Sequence, residues 1–168
     1  MNQDKKKREN VFMQNENNLI YDTYDITFAE IPGEICLAIT IMGCQNRCKG
    51  CHSPHLRTTD GKILNKDEII KIISNYKNYI TTVLLLGEGH SKNVLLETVN
   101  FINGLGFKTA VYSGRDTYDE ELAKAIDYYK VGGYQESKGG LNNPNTNQRL
   151  YHKGYDITYL LNNNKEEI

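Results

Sequence analysis

The chain has 168 residues, which fits one domain, and its 39% hydrophobic and 24% charged residues suffice for one buried core. A formal net charge of -1 and a pI near 6.4 leave no broad basic field to hold phosphates, which argues against a nucleic-acid partner. The longest uncharged apolar stretch, Ile35 to Gly43, is too short to cross a bilayer, and the opening MNQDKKKREN lacks the apolar core of a signal peptide. The expected protein is cytoplasmic with no membrane partner. Its four cysteines are expected to serve as metal ligands or thiol chemistry, not as a disulfide framework.

Residues 1–18 read as a flexible polar arm, residues 19–162 as a single core domain and residues 163–168 as a frayed polar tail. Regular structure is expected after Tyr21. ICLAITI (35–41) is a β-branched apolar run, as in a strand buried on both faces. A cysteine-rich loop follows. Asn65, with Glu68 three residues on, predicts a capped helix whose inner face carries Ile69, Ile72, Ile73 and Tyr76. TTVLLL (81–86) is a second buried strand. Ser91 opens a helix with Leu95, Val99 and Ile102 inside, and Gly104 and Gly106 mark its end. FKTAVYS (107–113) is a third strand. Thr117 and Glu120 suggest another capping box, with Leu122, Ala125 and Ile126 buried behind it. YYKVG (128–132) is a short fourth strand, 134–149 a Gly/Asn/Pro-rich loop, and YDITYLL (155–161) a last strand. Strands alternating with helices at this spacing predict an α/β fold around a parallel sheet. Chemistry in such sheets gathers at the loops after the strands, where GCQNRCKGCHSP, GEGH and YSGR all fall.

Cys44, Cys48 and Cys51 form a C-x3-C-x2-C triplet within one loop. Thiolates are soft ligands, and a closed structural zinc site or a fully protein-held cubane needs four protein ligands. Three leave one iron of a cubane open to a small molecule. Zinc with His52, His55 or His90 as fourth ligand is the alternative. Cys36, inside the first predicted strand, reads as a small buried apolar residue.

The triplet after a first strand resembles the radical S-adenosylmethionine superfamily, whose fold is an incomplete parallel β/α barrel. The resemblance implies that Cys44, Cys48 and Cys51 hold three irons of a [4Fe-4S] cluster, and that the fourth iron binds S-adenosylmethionine. It implies cofactor-binding roles for Gly50, Cys51 and His52. It also implies one for Gly87 and Glu88, which stand where the family carries a glycine-plus-acid motif, although its second Gly and following Pro are missing from LGEG (86–89). Ser113, at the end of the third strand, is implied to touch the cofactor.

A narrower resemblance follows from Gly50 before the third cysteine, PGEICLAITIMGC (32–44) and VGGYQESKGGLNNPNTNQRLY (131–151). These are similar to activators of anaerobic ribonucleoside-triphosphate reductase. That likeness implies an enzyme that cleaves S-adenosylmethionine and generates a glycyl radical on the large reductase subunit. A flavodoxin or ferredoxin would supply the electron. Asn147, Gln148 and Arg149 are then expected near the partner-binding mouth. The alternatives are an activator of another glycyl-radical enzyme such as pyruvate formate-lyase, a small-molecule radical enzyme, and a noncatalytic zinc or iron–sulfur interaction module.

Overall fold

The computed structural model describes residues 16–162, so most of the expected N-terminal arm and all of the expected tail lie outside the described residues. The strands are β1 (Leu19–Thr27), β2 (Cys36–Ile41), β3 (Lys62–Leu64), β4 (Thr82–Leu86), β5 (Lys108–Tyr112), β6 (Tyr128–Val131), β7 (Arg149–His152) and β8 (Tyr155–Asp156). The helices are α1 (Lys66–Ser74), α2 (Lys92–Gly104), α3 (Glu120–Ala125) and α4 (Tyr159–Asn162). No described helix is long and apolar enough to cross a membrane.

The eight strands form one sheet in the order β3-β1-β2-β4-β5-β6-β7-β8. β2, β4, β5 and β6 are parallel. β1 and β3 on one side, and β7 and β8 on the other, pair antiparallel. The fold is therefore mixed α/β with a parallel centre, and the sheet is open at β3 and β8.

The apolar runs explain the centre. Leu37, Ile39 and Ile41 of β2, Val83 and Leu85 of β4, Val111 of β5, and Tyr129 and Val131 of β6 join one core with α1, α2 and α3. The intervening residues Cys36, Ala38, Leu84, Ala110 and Tyr128 form a second, smaller core on the opposite face, with Ile31 and Leu150. Side chains alternate across a strand, so a strand buried on both faces must be apolar at nearly every position. Cys36 is fully buried as expected, and burial first, with the Glu34 and Glu30 charges behind it, pushes its thiol up to about 12.

Several expectations are corrected. β1 precedes and pairs with the strand read as first, and β3, later in the chain, pairs with the outer side of β1. The 155–161 segment is a two-residue strand followed by α4, because Thr158 turns the chain by donating to Asp156 Oδ1 (2.5 Å) and accepting from Leu150 N–H (2.9 Å). Asn65 does cap α1, accepting from Glu68 N–H at 2.9 Å, but the Glu68 carboxylate turns away to accept from Tyr21 (2.7 Å) and Lys71 (3.1 Å). Ser91 stands at the start of α2 without a side-chain capping bond. α3 is capped by Asp119, which accepts from Leu122 N–H at 3.1 Å, and not by Thr117.

The amino ends of the parallel strands meet on one carboxylate. Glu34 Oε1 accepts from Lys108 (2.6 Å) and Tyr128 (2.6 Å), and Oε2 from Thr81 (2.5 Å) and Thr82 (2.9 Å). Burial alone would raise this carboxyl, but the bonds from Lys108, Thr81, Tyr128 and Thr82 outweigh it and bring it to about 2.

Candidate functional site

At the opposite, carboxyl edge, β2 runs through Met42 into the cysteine loop. Gly43 has φ +82°, and a Cβ there would lie 3.3 Å from the His90 Cβ, so the position suits glycine. The loop is tied back by Gly43 N–H to Thr58 O (2.9 Å), Cys44 N–H to Leu56 O (3.0 Å), and Arg57 Nη2 to Cys48 O (3.4 Å). A short 3-10 turn, Pro54–Arg57, supplies these partners.

Cys44, Cys48 and Cys51 are all half-buried and free of disulfides. They share the loop, yet among the described residues no three His, Cys, Asp or Glu side chains are arranged to hold a metal ion. The histidines open to a zinc reading each have a neighbour away from the thiols, although His90 Nδ1 is buried without a partner. The His52 ring packs 4.6 Å from Tyr134, His55 stands 3.5 Å from Asp22, and His90 Nε2 lies 3.4 Å from Glu16 O.

The other three parallel strands deliver their loops to the same edge. A cavity of about 840 Å³ opens there. Its wall includes Asn46, Cys48 and Gly50 of the cysteine loop, Gly114 and Asp116 after β5, and Gly133 and Tyr134 after β6. Of the three cysteines only Cys48 lines it. Close backbone approach explains the glycines. A Cβ on Gly114 would meet Asn46 Nδ2 at 2.5 Å, and one on Gly133 would meet Gly114 O at 3.0 Å and Cys48 Sγ at 3.4 Å.

Gly87 follows β4 at φ +124°, with Ile41 O only 3.2 Å from where its Cβ would stand. The Glu88 carboxylate accepts from Arg115 Nε at 2.6 Å and from the Tyr129 hydroxyl at 3.5 Å. Burial, then the Glu88 charge, pushes that hydroxyl up to about 12, so Tyr129 remains the donor. Ser113 is fully buried, and its Oγ accepts from Arg115 N–H at 3.0 Å. Arg47 is exposed and bonds the carbonyls of its own loop.

The TNQR stretch plays a part that its polarity did not suggest. Gln148 is buried and donates to Gly132 O (3.3 Å), while Asn147 donates to Gly133 O (2.9 Å). Arg149 is exposed, bonded to Thr146 O at 2.9 Å and 3.7 Å from Asp156. The stretch thus clamps the Gly132-Gly133 turn after β6. Lys130 was also missed. It is a buried lysine whose Nζ donates to Gly132 O (2.8 Å) and Ser113 O (3.2 Å). The signal for it was one charge inside the apolar run YYKV.

No family model matches the chain. No curated protein matches it in sequence. Among solved structures it is similar to QueE from Escherichia coli, at 16% identity and a TM-score of 0.47, over 63% of this chain and 57% of that one.

Proposed function

We propose that this chain is a radical S-adenosylmethionine enzyme that generates a glycyl radical on the large subunit of anaerobic ribonucleoside-triphosphate reductase. The observation that carries the reading is one of placement. The C-x3-C-x2-C loop leaves the carboxyl end of the first of four parallel strands, beside a cavity to which the loops after β5 and β6 contribute.

The residues fit a cluster. Three unpaired, half-buried thiols on one loop are a soft donor set, and Gly50, at φ +72° with open space around it, leaves room beside Cys51. Cys44, Cys48 and Cys51 would hold a [4Fe-4S] cluster. With S-adenosylmethionine bound, that cluster supplies a 5′-deoxyadenosyl radical able to take a hydrogen atom from a glycine Cα.

The chain's own residues hold and shield the reactants. Glu88 already accepts from a guanidinium, so it is matched to a cationic N–H donor, and the methionine ammonium would replace Arg115 there. Gly87 keeps the β4 turn against Ile41, which fixes where Glu88 points. His52 packs on Tyr134 and so joins the cysteine loop to the loop after β6. The remaining opening would admit a partner's glycine loop. A reduced flavodoxin or ferredoxin would deliver the electron.

The test is anaerobic iron reconstitution followed by electron paramagnetic resonance of the reduced protein. A cubane signal that shifts on adding S-adenosylmethionine is expected. Mixing with the large reductase subunit should then give a glycyl-radical doublet. A protein that takes up zinc but no iron, or a cluster blind to the cofactor, would overturn the enzyme reading. A cofactor-responsive cluster that leaves the reductase unmodified would overturn only the choice of partner.

A further inference from the structure

Glu88, after β4, and Arg115, after β5, meet at the carboxyl edge in an ion pair, Arg115 Nε to Glu88 Oε2 at 2.6 Å. The two partners differ in freedom. The Glu88 side chain is 14% exposed, accepts from the Tyr129 hydroxyl at 3.5 Å, and follows Gly87, which is held against Ile41. The Arg115 side chain is 51% exposed and forms part of the cavity wall. Its backbone is fixed on both sides: the N–H donates to Ser113 Oγ (3.0 Å), and the carbonyl accepts from Gly132 N–H (2.6 Å). A guanidinium on so firm a base leaves Glu88 by rotation of its own side chain, with no movement of the loops.

Charge decides what can displace it. Among the described residues Glu88 has no other cation within 4.0 Å, and Arg115 no other carboxylate. A ligand bringing only an ammonium would take Glu88 and leave the guanidinium without an anion. One bringing only a carboxylate would draw Arg115 away and leave a largely buried carboxylate without a cation, which is costly. The end of an α-amino acid brings both charges. One ion pair then becomes two, and no charge is left unpaired.

We propose that Arg115 is the carboxylate receptor of this site: displaced from Glu88 by the ammonium of an α-amino-acid end, its guanidinium pairs with the carboxylate of that same end. The proposal rests on the ammonium assignment to Glu88 made above, and it uses none of the cysteines.

The experiment is titration calorimetry on the full chain without iron. It compares S-adenosylmethionine with its decarboxylated form, which keeps the ammonium and the sulfonium. The wild type should bind S-adenosylmethionine about tenfold more tightly than the decarboxylated form. In Arg115→Gln that preference should vanish, and the decarboxylated form should bind more tightly than it does to the wild type, because no guanidinium competes for Glu88. Arg115→Lys should keep the preference. A gain for one ligand with a loss for the other is a signature that a merely structural residue does not give. Lys49→Gln removes the same charge from the same wall and should leave the preference as in the wild type. An equal change in Lys49→Gln would reduce the effect to a general field and overturn the proposal. An unchanged preference in Arg115→Gln, equal losses for both ligands, or no binding of S-adenosylmethionine to the wild type would each overturn it. If Arg115→Gln does not fold, Arg115→Ala is read on the same scale, and failure of both to fold would assign a structural role and overturn it. The iron–sulfur reading is decided separately by reconstitution: a chain that takes up no iron yet shows this exchange keeps the amino-acid site and loses the radical chemistry.

Discussion

At the amino edge of the parallel strands a single carboxylate, Glu34, accepts from four side chains on β4, β5, β6 and the turn before β4. At the carboxyl edge, Arg57 Nε, His90 Nδ1 and Asn147 Oδ1 are buried without a partner among the described residues. One edge satisfies its polar groups and fixes the strands. The other holds these unsatisfied donors and acceptors and three free thiols. A buried polar atom without a partner costs about 1–3 kcal/mol. The fold tolerates that cost at one edge because the other edge and the core secure the sheet. The contrast separates residues that keep the chain folded from residues kept for chemistry, and each substitution below tests that separation.

The largest effect is expected from the thiols. Cys44→Ala, Cys48→Ala and Cys51→Ala should each abolish reductive cleavage of S-adenosylmethionine, with methionine and 5′-deoxyadenosine falling to background by chromatography. Because all three are only half-buried, their melting temperatures should stay within a few degrees of wild type. Full cleavage by any one variant would sink the ligand assignment. Cys36→Ala is the control at the other edge: it should lose stability and retain cleavage.

Glu34→Gln should do the reverse, sparing the chemistry and weakening the fold. Its folded carboxyl sits at about 2 against an ordinary 4.5. The unfolded chain therefore binds the proton more tightly, and the contribution is complete above pH 4.5 and lost as pH falls toward 2. A shift of this size corresponds to about 3 kcal/mol at neutral pH. Denaturant titrations at pH 7, 4.5 and 3 should show the wild type approaching Glu34→Gln as the pH drops. A constant gap between the two proteins would break the comparison of edges.

Glycine contacts give a smaller and sharper test. Gly133→Ala presses a methyl toward Gly114 O and Cys48 Sγ, and the loops after β2, β5 and β6 must each yield by a few tenths of an ångström. Stability should fall by about 1 kcal/mol, while iron bound per chain falls severalfold. Gly104→Ala, at a helix end with nothing within 4 Å of the new methyl, should change neither. Equal iron content in Gly133→Ala and wild type would place the cluster away from this turn.

What the sequence made legible follows from range. β2, β4, β5 and β6 are apolar at consecutive positions, and the cysteine loop is a spacing within eight residues, so local pattern sufficed. β1 was illegible because only Leu19, Ile20 and Tyr21 are fully buried, after which LIYDTYDIT turns polar and a bulge between Tyr21 and Tyr24 breaks the alternation. β3, at three residues, carries no period. Glu34 showed no role in the sequence because its partners lie 47 to 94 residues away. Lys130 and the TNQR clamp were hidden for the same reason: their roles depend on which loop folds beside them.

The smallest effects come from the helix starts that follow β3 and β4. Asn65 and Ser91 both precede helices with sequence patterns that suggest a cap, yet only Asn65 accepts a backbone N–H. Asn65→Ala should therefore cost about 1 kcal/mol, and Ser91→Ala a few tenths at most. Both substitutions remove a side chain of similar polarity from the amino end of a helix, so a difference between them isolates the capping bond. Ser91 directly follows His90, whose buried Nδ1 has no partner, and the chain there has given up the tidy cap that the loop after β3 retains. Equal losses on thermal melting would mean that the start of α2 is as firmly held as that of α1. The looseness of the carboxyl edge would then be confined to the cysteine loop and the β6 turn.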